Sequence, residues 1–233
     1  MSLIKDLQFS LRQLRKAKVF TVVAVVTLAL GIGCNTAIFS VFYSVLLRPL
    51  PFSEPDRLVI VSERATSFPM LSASWLNFKD WKAQSTSFEE FGATRVTTMA
   101  LTGGGQPEQI PGQMISGNLL HMLGVNTVAG RPISAVDDQP ASPAVALLGY
   151  GLWQRRFGGA ESVVGRTITL DRQTYTVIGV LPEHFELLQQ APDFVVAMGP
   201  WASKLPDDRS WHPGINAIAR LKPGVSLSQA RTE

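Results

Sequence analysis

The chain has 233 residues, 45% of them hydrophobic, enough for one long domain or two short ones with a proper core. Its formal charge of +3 is not spread over a folded surface: Lys5, Arg12, Arg15, Lys16 and Lys18 crowd the first 18 residues against Asp6 alone, residues 19–47 carry no charge, and the rest nearly balances. That distribution argues against a nucleic-acid binder, which spreads a basic stripe over its fold, and the single cysteine, Cys34, excludes an internal disulfide.

In the basic tail, Leu3, Leu7, Leu11 and Leu14 recur at spacings of one helical face, with Lys5, Arg12, Arg15 and Lys16 off it. A helix lying in the inner membrane interface fits this pattern. A frayed basic leader is the alternative.

Val19–Leu47 then reads VFTVVAVVTLALGIGCNTAIFSVFYSVLL. About 20 apolar residues cross a hydrocarbon core of about 30 Å, so 19–47 is expected to be a transmembrane helix, ended by Pro49 and Pro51. Five cations precede it, while Arg48 and Arg57 after it are balanced by Glu54 and Asp56. Positive flanks stay in the cytoplasm. The N-terminus is therefore expected inside, oriented by Lys5, Arg12, Arg15, Lys16 and Lys18, with the bulk of the chain outside.

The centre of this run, GIGCNT at 31–36, is not a dinucleotide turn, since Thr36 stands where a third glycine belongs and no strand precedes it. Nor does it suit lipoprotein processing at Cys34, because the run stays apolar beyond it, and the segment is too long for a cleaved secretory signal. Ala29, Gly33 and Ala37 recur every four residues, with Ser40 and Ser44 near their continuation. Small residues so spaced let a second helix approach closely in lipid. Asn35 adds a polar group that a lone helix in hydrocarbon leaves unsatisfied. The expected packing residues are thus Ala29, Gly33, Asn35 and Ala37, and no second apolar run of comparable length follows to supply the partner.

Residues 48–233 alternate strands and helices without the rhythm of a parallel sheet, which predicts an α+β domain of two subdomains. RLVIVSE (57–63) predicts a strand. SASWLNFKDWKAQ (72–84) predicts a serine-capped helix with Trp75, Phe78 and Trp81 spaced by three. Residues 88–117 read as short extended runs between turns, broken at Gly103–Gly105. A short helix is expected from about Asn118 to Gly124. Residues 145–159 run from a strand into a helix closed by Gly158. A hairpin over 166–181 turns at Asp171–Gln173, a strand lies at 215–221, and a helix begins near Ser226.

No residue set announces chemistry. His121, His184 and His212 lack metal-ligand spacing, and Gly103–Gly105 lacks the Gly-Lys-Ser/Thr end of a phosphate loop. No G-x-S-x-G elbow occurs. Asp137–Asp138 reads as a solvated turn, and the tryptophans as core rather than a ligand groove. No catalytic, cofactor-binding or metal residue is expected.

Three runs, TLALGIGCNTAIFSVFYSVLLRPLPF, ISGNLLHMLGVNTVAGRPISAVDD and VALLGYGLWQRRFGGAESVVGRTITLDRQTYTVIGVLPEHF, together resemble the MacB-like permeases of ABC transporters, in particular the duplicated orphan permeases. Arg172 stands where that family often has glycine in the hairpin turn. The resemblance implies a cytoplasmic segment (1–18), a membrane helix (19–47) and a MacB-like periplasmic core domain (48–233) in the bacterial inner membrane. Family members continue into further membrane helices, so the chain reads as a permease truncated within its core domain.

The resemblance also implies mechanotransmission: a cytoplasmic ABC ATPase subunit closes, and the permease carries the motion to the outer domain for export or efflux. Expected partners are that ATPase, other permease helices, including those of a dimer, and membrane lipid. The transported substrate is open and no nucleic acid is expected. A membrane-anchored binding or sensor module without a transport role is the competing expectation. It would use the helix only as an anchor and would need neither the small-residue face nor Asn35.

Overall fold

The computed structural model describes residues 9, 12–42, 50–66, 68–103 and 106–233. The expectations for Leu3, Lys5, Leu7, Leu11, Pro49, Gly104, Gly105 and the end of the apolar run at 43–47 lie outside them. Two compact units are present, Met1–Leu50 and Pro51–Glu233.

In the first unit, residues 12–16 form a helical turn and α1 spans Lys18–Phe42. Its stretch Lys18–Ser40 has a mean hydropathy of 2.1 and none of it is buried. By length and composition it can cross a hydrocarbon core. Thr21 and Thr27 return their hydroxyls to the Ala17 and Val23 carbonyls, so neither presents an unpaired donor to an apolar surrounding.

The second unit is mixed α+β. Its strands are β1 (Leu58–Val61), β2 (Glu63–Ala65), β3 (Phe68–Leu71), β4 (Phe88–Thr102), β5 (Glu108–Ile115), β6 (Ala129–Gly130), β7 (Val145–Leu148), β8 (Thr167–Leu170), β9 (Gln173–Val180), β10 (Phe194–Ala197) and β11 (Asn216–Leu221). Its helices are α2 (Trp75–Gln84), α3 (Leu119–Leu123), α4 (Tyr150–Phe157), α5 (Gly199–Ala202) and α6 (Leu227–Ala230). Local signals set many of these ends. The Ser74 hydroxyl accepts from Asn77 N–H at the start of α2, Gly124 and Gly158 close α3 and α4 in the left-handed region, and Ser226 with Gln229 forms a capping box on α6.

Six strands close a ring. β4 pairs antiparallel with β5, β5 parallel with β10, β10 antiparallel with β7, β7 parallel with β9, β9 antiparallel with β8, and β8 returns to β4 at Leu101↔Leu170. The pleat keeps one face inward throughout. Met99, Leu101, Ile110, Met114, Ala146, Leu148, Ile168, Leu170, Val177, Phe194 and Val196 share one buried cluster. The alternate residues Ile115, Val145, Leu147 and Val195 join a second cluster with α3. Gly112 faces inward opposite Phe194, and a Cβ there would lie 2.3 Å from that ring. The absent side chain is what lets Phe194 fill the barrel.

β4 is long enough to belong to two neighbourhoods. Its second half lies in the barrel, while its first half pairs with β11, which pairs with β1. On that extension α2 places Phe78 with Phe91, Ala93, Ala217 and Ala219, and Ile218 joins α3 in the second cluster. The two expected subdomains therefore correspond to no break in the sheet: one 15-residue strand runs through both regions. The short runs expected over 88–117 are likewise two strands, β4 and β5.

Candidate functional site

Helical geometry places Ala29, Gly33 and Ala37 on one face of α1, since steps of four advance only about 40° round the axis. All three are exposed, and a Cβ added at Gly33 meets nothing within 4 Å. Asn35 lies two residues from Gly33, about 160° away, so the structure does not bring it onto that face. Cys34 is exposed. Arg12, Arg15, Lys16 and Lys18 are exposed at the start of this unit.

The first residues of the second unit are fastened more firmly than a linker requires. Phe52 packs on the α3 cluster. Ser53 N–H donates to the Leu123 carbonyl at 3.0 Å. Gly124, at φ 72, brings the backbone so close that a Cβ would lie 1.9 Å from Ser53 Oγ. Arg220 of β11, 5% exposed, holds the same segment. Its Nη2 donates to the Ser53 carbonyl at 2.8 Å and to the Met122 carbonyl, and its Nη1 to the Glu54 carbonyl at 3.2 Å. Nη1 also lies 3.4 Å from the Glu54 carboxylate.

Arg57 adds a second fastening. Nε donates to the Leu221 carbonyl at 2.8 Å, Nη1 to Glu54 at 2.8 Å, and Nη2 to Glu89. Burial opposes its charge, but Glu89 and Glu54 hold the guanidinium above its ordinary range. Glu54 itself takes a left-handed φ of 45, a turn that the bonds from the two arginines hold in place.

Asp137–Asp138 is not the solvated turn that the sequence suggests. Arg131 grips Asp137 through two bonds of 2.6 and 2.8 Å. That pairing, with two bonds from Ser134, lowers the Asp137 carboxyl to about 2. Asp138 accepts from Gly117 N–H at 2.9 Å and Gly199 N–H at 2.5 Å, bracing the approach to α3 against α5. Burial raises its pKa. Among the described residues, no group of three or more His, Cys, Asp or Glu is placed to hold a metal ion.

The model of the MacB-like periplasmic core domain family matches residues 21–233. The chain belongs to that family. The periplasmic region of MacB from Actinobacillus actinomycetemcomitans superposes with a TM-score of 0.58 at 14% identity, covering 75% of this chain and 78% of that one. The extracellular domain of the noncanonic ABC-type transporter YknZ from Gram-positive bacteria gives 0.53 at 16% identity, covering 75% of this chain and 86% of that one. At these identities the likeness speaks for the fold. No curated protein matches the chain. In this MacB-like domain the feature that sequence reasoning missed is the clamp around Ser53 and Glu54. Its one visible signal is an arginine inside the otherwise apolar run AIAR-L of β11.

Proposed function

We propose that the chain is a permease subunit of an ABC-type transporter, which couples ATP hydrolysis by a cytoplasmic partner subunit to movement of the extracytoplasmic domain, for export or efflux. α1 spans the inner membrane once, with the basic tail inside, and packs through Ala29, Gly33 and Ala37 against other permease helices, in a dimer or a larger permease. Asn35 meets a separate polar partner on the far side of the helix.

What supports a coupling role over a passive anchor is the clamp. A tether needs only a flexible connection. Here the segment that begins the folded unit is held by a buried arginine to the ends of α3 and β11, so displacement of residues 53–57 must displace the sheet. Interiors packed at crystal-like density transmit such strain rather than absorb it.

Affinity purification of the full-length permease from membranes of its native bacterium tests the assignment. An ABC ATPase subunit is expected in the complex. A permease that is purified intact without any ATPase, in the presence or absence of nucleotide, would favour the anchored sensor module instead.

A further inference from the structure

The barrel is closed by hydrogen bonds around its waist but is open at one end. A cavity of about 370 Å³ opens there, lined by Arg95, Met99, Met114, Tyr175, Trp201 and Lys204 among others. Small-molecule sites begin at about 300 Å³. The other end is filled by Phe194, Leu148 and, from α4, Leu152 and Trp153.

The lining is divided chemically. Met99 and Met114 give an adaptable apolar floor. At the rim Arg95 is fixed twice: Nε donates to the Pro213 carbonyl at 2.8 Å, and the guanidinium carbon lies 4.8 Å from the centroid of the Trp201 ring. Both contacts orient the guanidinium plane, and neither uses the terminal Nη groups. No ion pair to Arg95 occurs among the described residues, although ion pairs hold Arg57, Arg131, Arg155 and Arg209. Lys204 is a second cation on the rim. Among the described residues Asp171 is the only carboxylate in the lining, and its Oδ1 is already engaged by Ala100 N–H.

We propose that the barrel mouth binds a small anionic amphiphile. Its carboxylate or phosphate accepts from the two Nη groups of Arg95, with Lys204 adding charge, and its apolar or aromatic body lies on Met99, Met114 and Trp201. A planar guanidinium suits a bidentate oxyanion, and its stacking on an aromatic ring lowers the cost of ordering it. The inference rests on the barrel alone and does not depend on the transport reading.

The test uses the full chain in lipid nanodiscs, labelled with 13C at the methionine methyls, so that Met99 and Met114 report from inside the cavity. The probes are 3-phenylpropanoate, 3-phenylpropyl phosphate and the neutral 3-phenylpropanol. Saturable shifts at Met99 and Met114 are expected for at least one anion, with Met70, outside the barrel, unmoved. The stronger of the two anions identifies the preferred head group. The alcohol should bind about tenfold or more weaker, and Arg95→Gln should weaken the anion about tenfold. Lys204→Gln, at an exposed side chain, should weaken it about threefold while leaving the apo spectrum unchanged. This second variant decides the matter if Arg95→Gln disturbs the fold. The proposal is overturned if neither anion shifts the two methyls, if the alcohol binds as well as the anions, or if the folded variants keep wild-type affinity.

Discussion

Arg220 Nη2 donates to the carbonyl of Ser53 at 2.8 Å, across 167 positions of sequence. The bond joins the start of the folded unit to a strand near the end of the chain. It forms because β11 is buried from Ala217 to Leu221, so a guanidinium there must find acceptors within the protein. Carbonyls at Ser53, Glu54 and Met122 supply them.

Removing that side chain leaves several acceptors short of a donor. An unsatisfied buried group costs about 1–3 kcal/mol, so Arg220→Met is expected to lower stability by about 2 kcal/mol or more. Urea denaturation of the full chain in nanodiscs measures it. Arg209→Met is the comparison, since its pair with Asp80 is well exposed and should contribute less than about 1 kcal/mol. Equal losses in the two variants would show that Arg220 does not clamp residues 53 and 54.

Asp171 and Arg172 both have positive φ, 47 and 66, the pattern of a two-residue type I′ turn between Leu170 and Gln173. Arg172 bears a side chain where glycine adopts the same backbone without steric cost. Arg172→Gly should therefore raise stability by about 0.5–1 kcal/mol. A melting temperature unchanged or lowered in this variant would show that Arg172 makes compensating contacts.

His212 Nε2 lies 2.8 Å from Glu63. The Glu63 bond, aided by the Ser210 carbonyl, raises His212 above its ordinary 6.5 although burial opposes this. Burial also works against the ionised Glu63, but the Ser74 amide, His212 and Asn77 outweigh it and hold the carboxyl below its ordinary 4.5. The raised histidine stabilises fully below about pH 6.5 and loses that contribution as pH rises through its folded pKa. The lowered carboxylate stabilises fully above about pH 4.5 and loses it as pH falls through its folded pKa. The pair thus contributes most between those two values. Urea midpoints of the full chain should fall on going from about pH 6 to 9, and His212→Gln should flatten that fall. An equally steep fall in the variant would assign it to other groups.

The proposed orientation rests on the cations before α1. Reporter fusions after residue 60 are expected to be active only with a periplasm-type enzyme. Activity of a cytoplasm-type reporter there would reverse the proposed topology.

Features governed by nearby residues were legible in the sequence. Ser74, Gly124, Gly158 and Ser226 end helices through contacts within a few positions, and each stands where the sequence puts it. The face formed by Ala29, Gly33 and Ala37 needs only helical periodicity. Features set by distant partners were not legible. β10 is four residues, Phe194–Ala197, nearly buried on both faces, so it shows no alternation to distinguish it from a loop. β4 looks like several pieces because its neighbours change along its length. Asp138 looks solvated until the fold brings Gly117 and Gly199 to it. Trp75, Trp81 and Trp201 pack on the core as expected, but Trp201 also lines the barrel mouth, a position set by a ring of strand pairings that no local pattern encodes.

In the proposed coupling, motion of a packed membrane helix reaches the outer sheet through residues 53–57. Hydrogen exchange of the β11 and α3 amides, in the full-length permease reconstituted with its ATPase, tests it most directly. ATP is expected to change the protection of these amides. Gly33→Leu should abolish the change by holding the helices apart, and Arg220→Met by releasing the clamp, while Ile38→Leu, about 140° round the helix from Gly33 and off the proposed packing face, preserves it. No ATP-dependent change in the wild type, or a full change retained in both Gly33→Leu and Arg220→Met, would rule out coupling through residues 53–57.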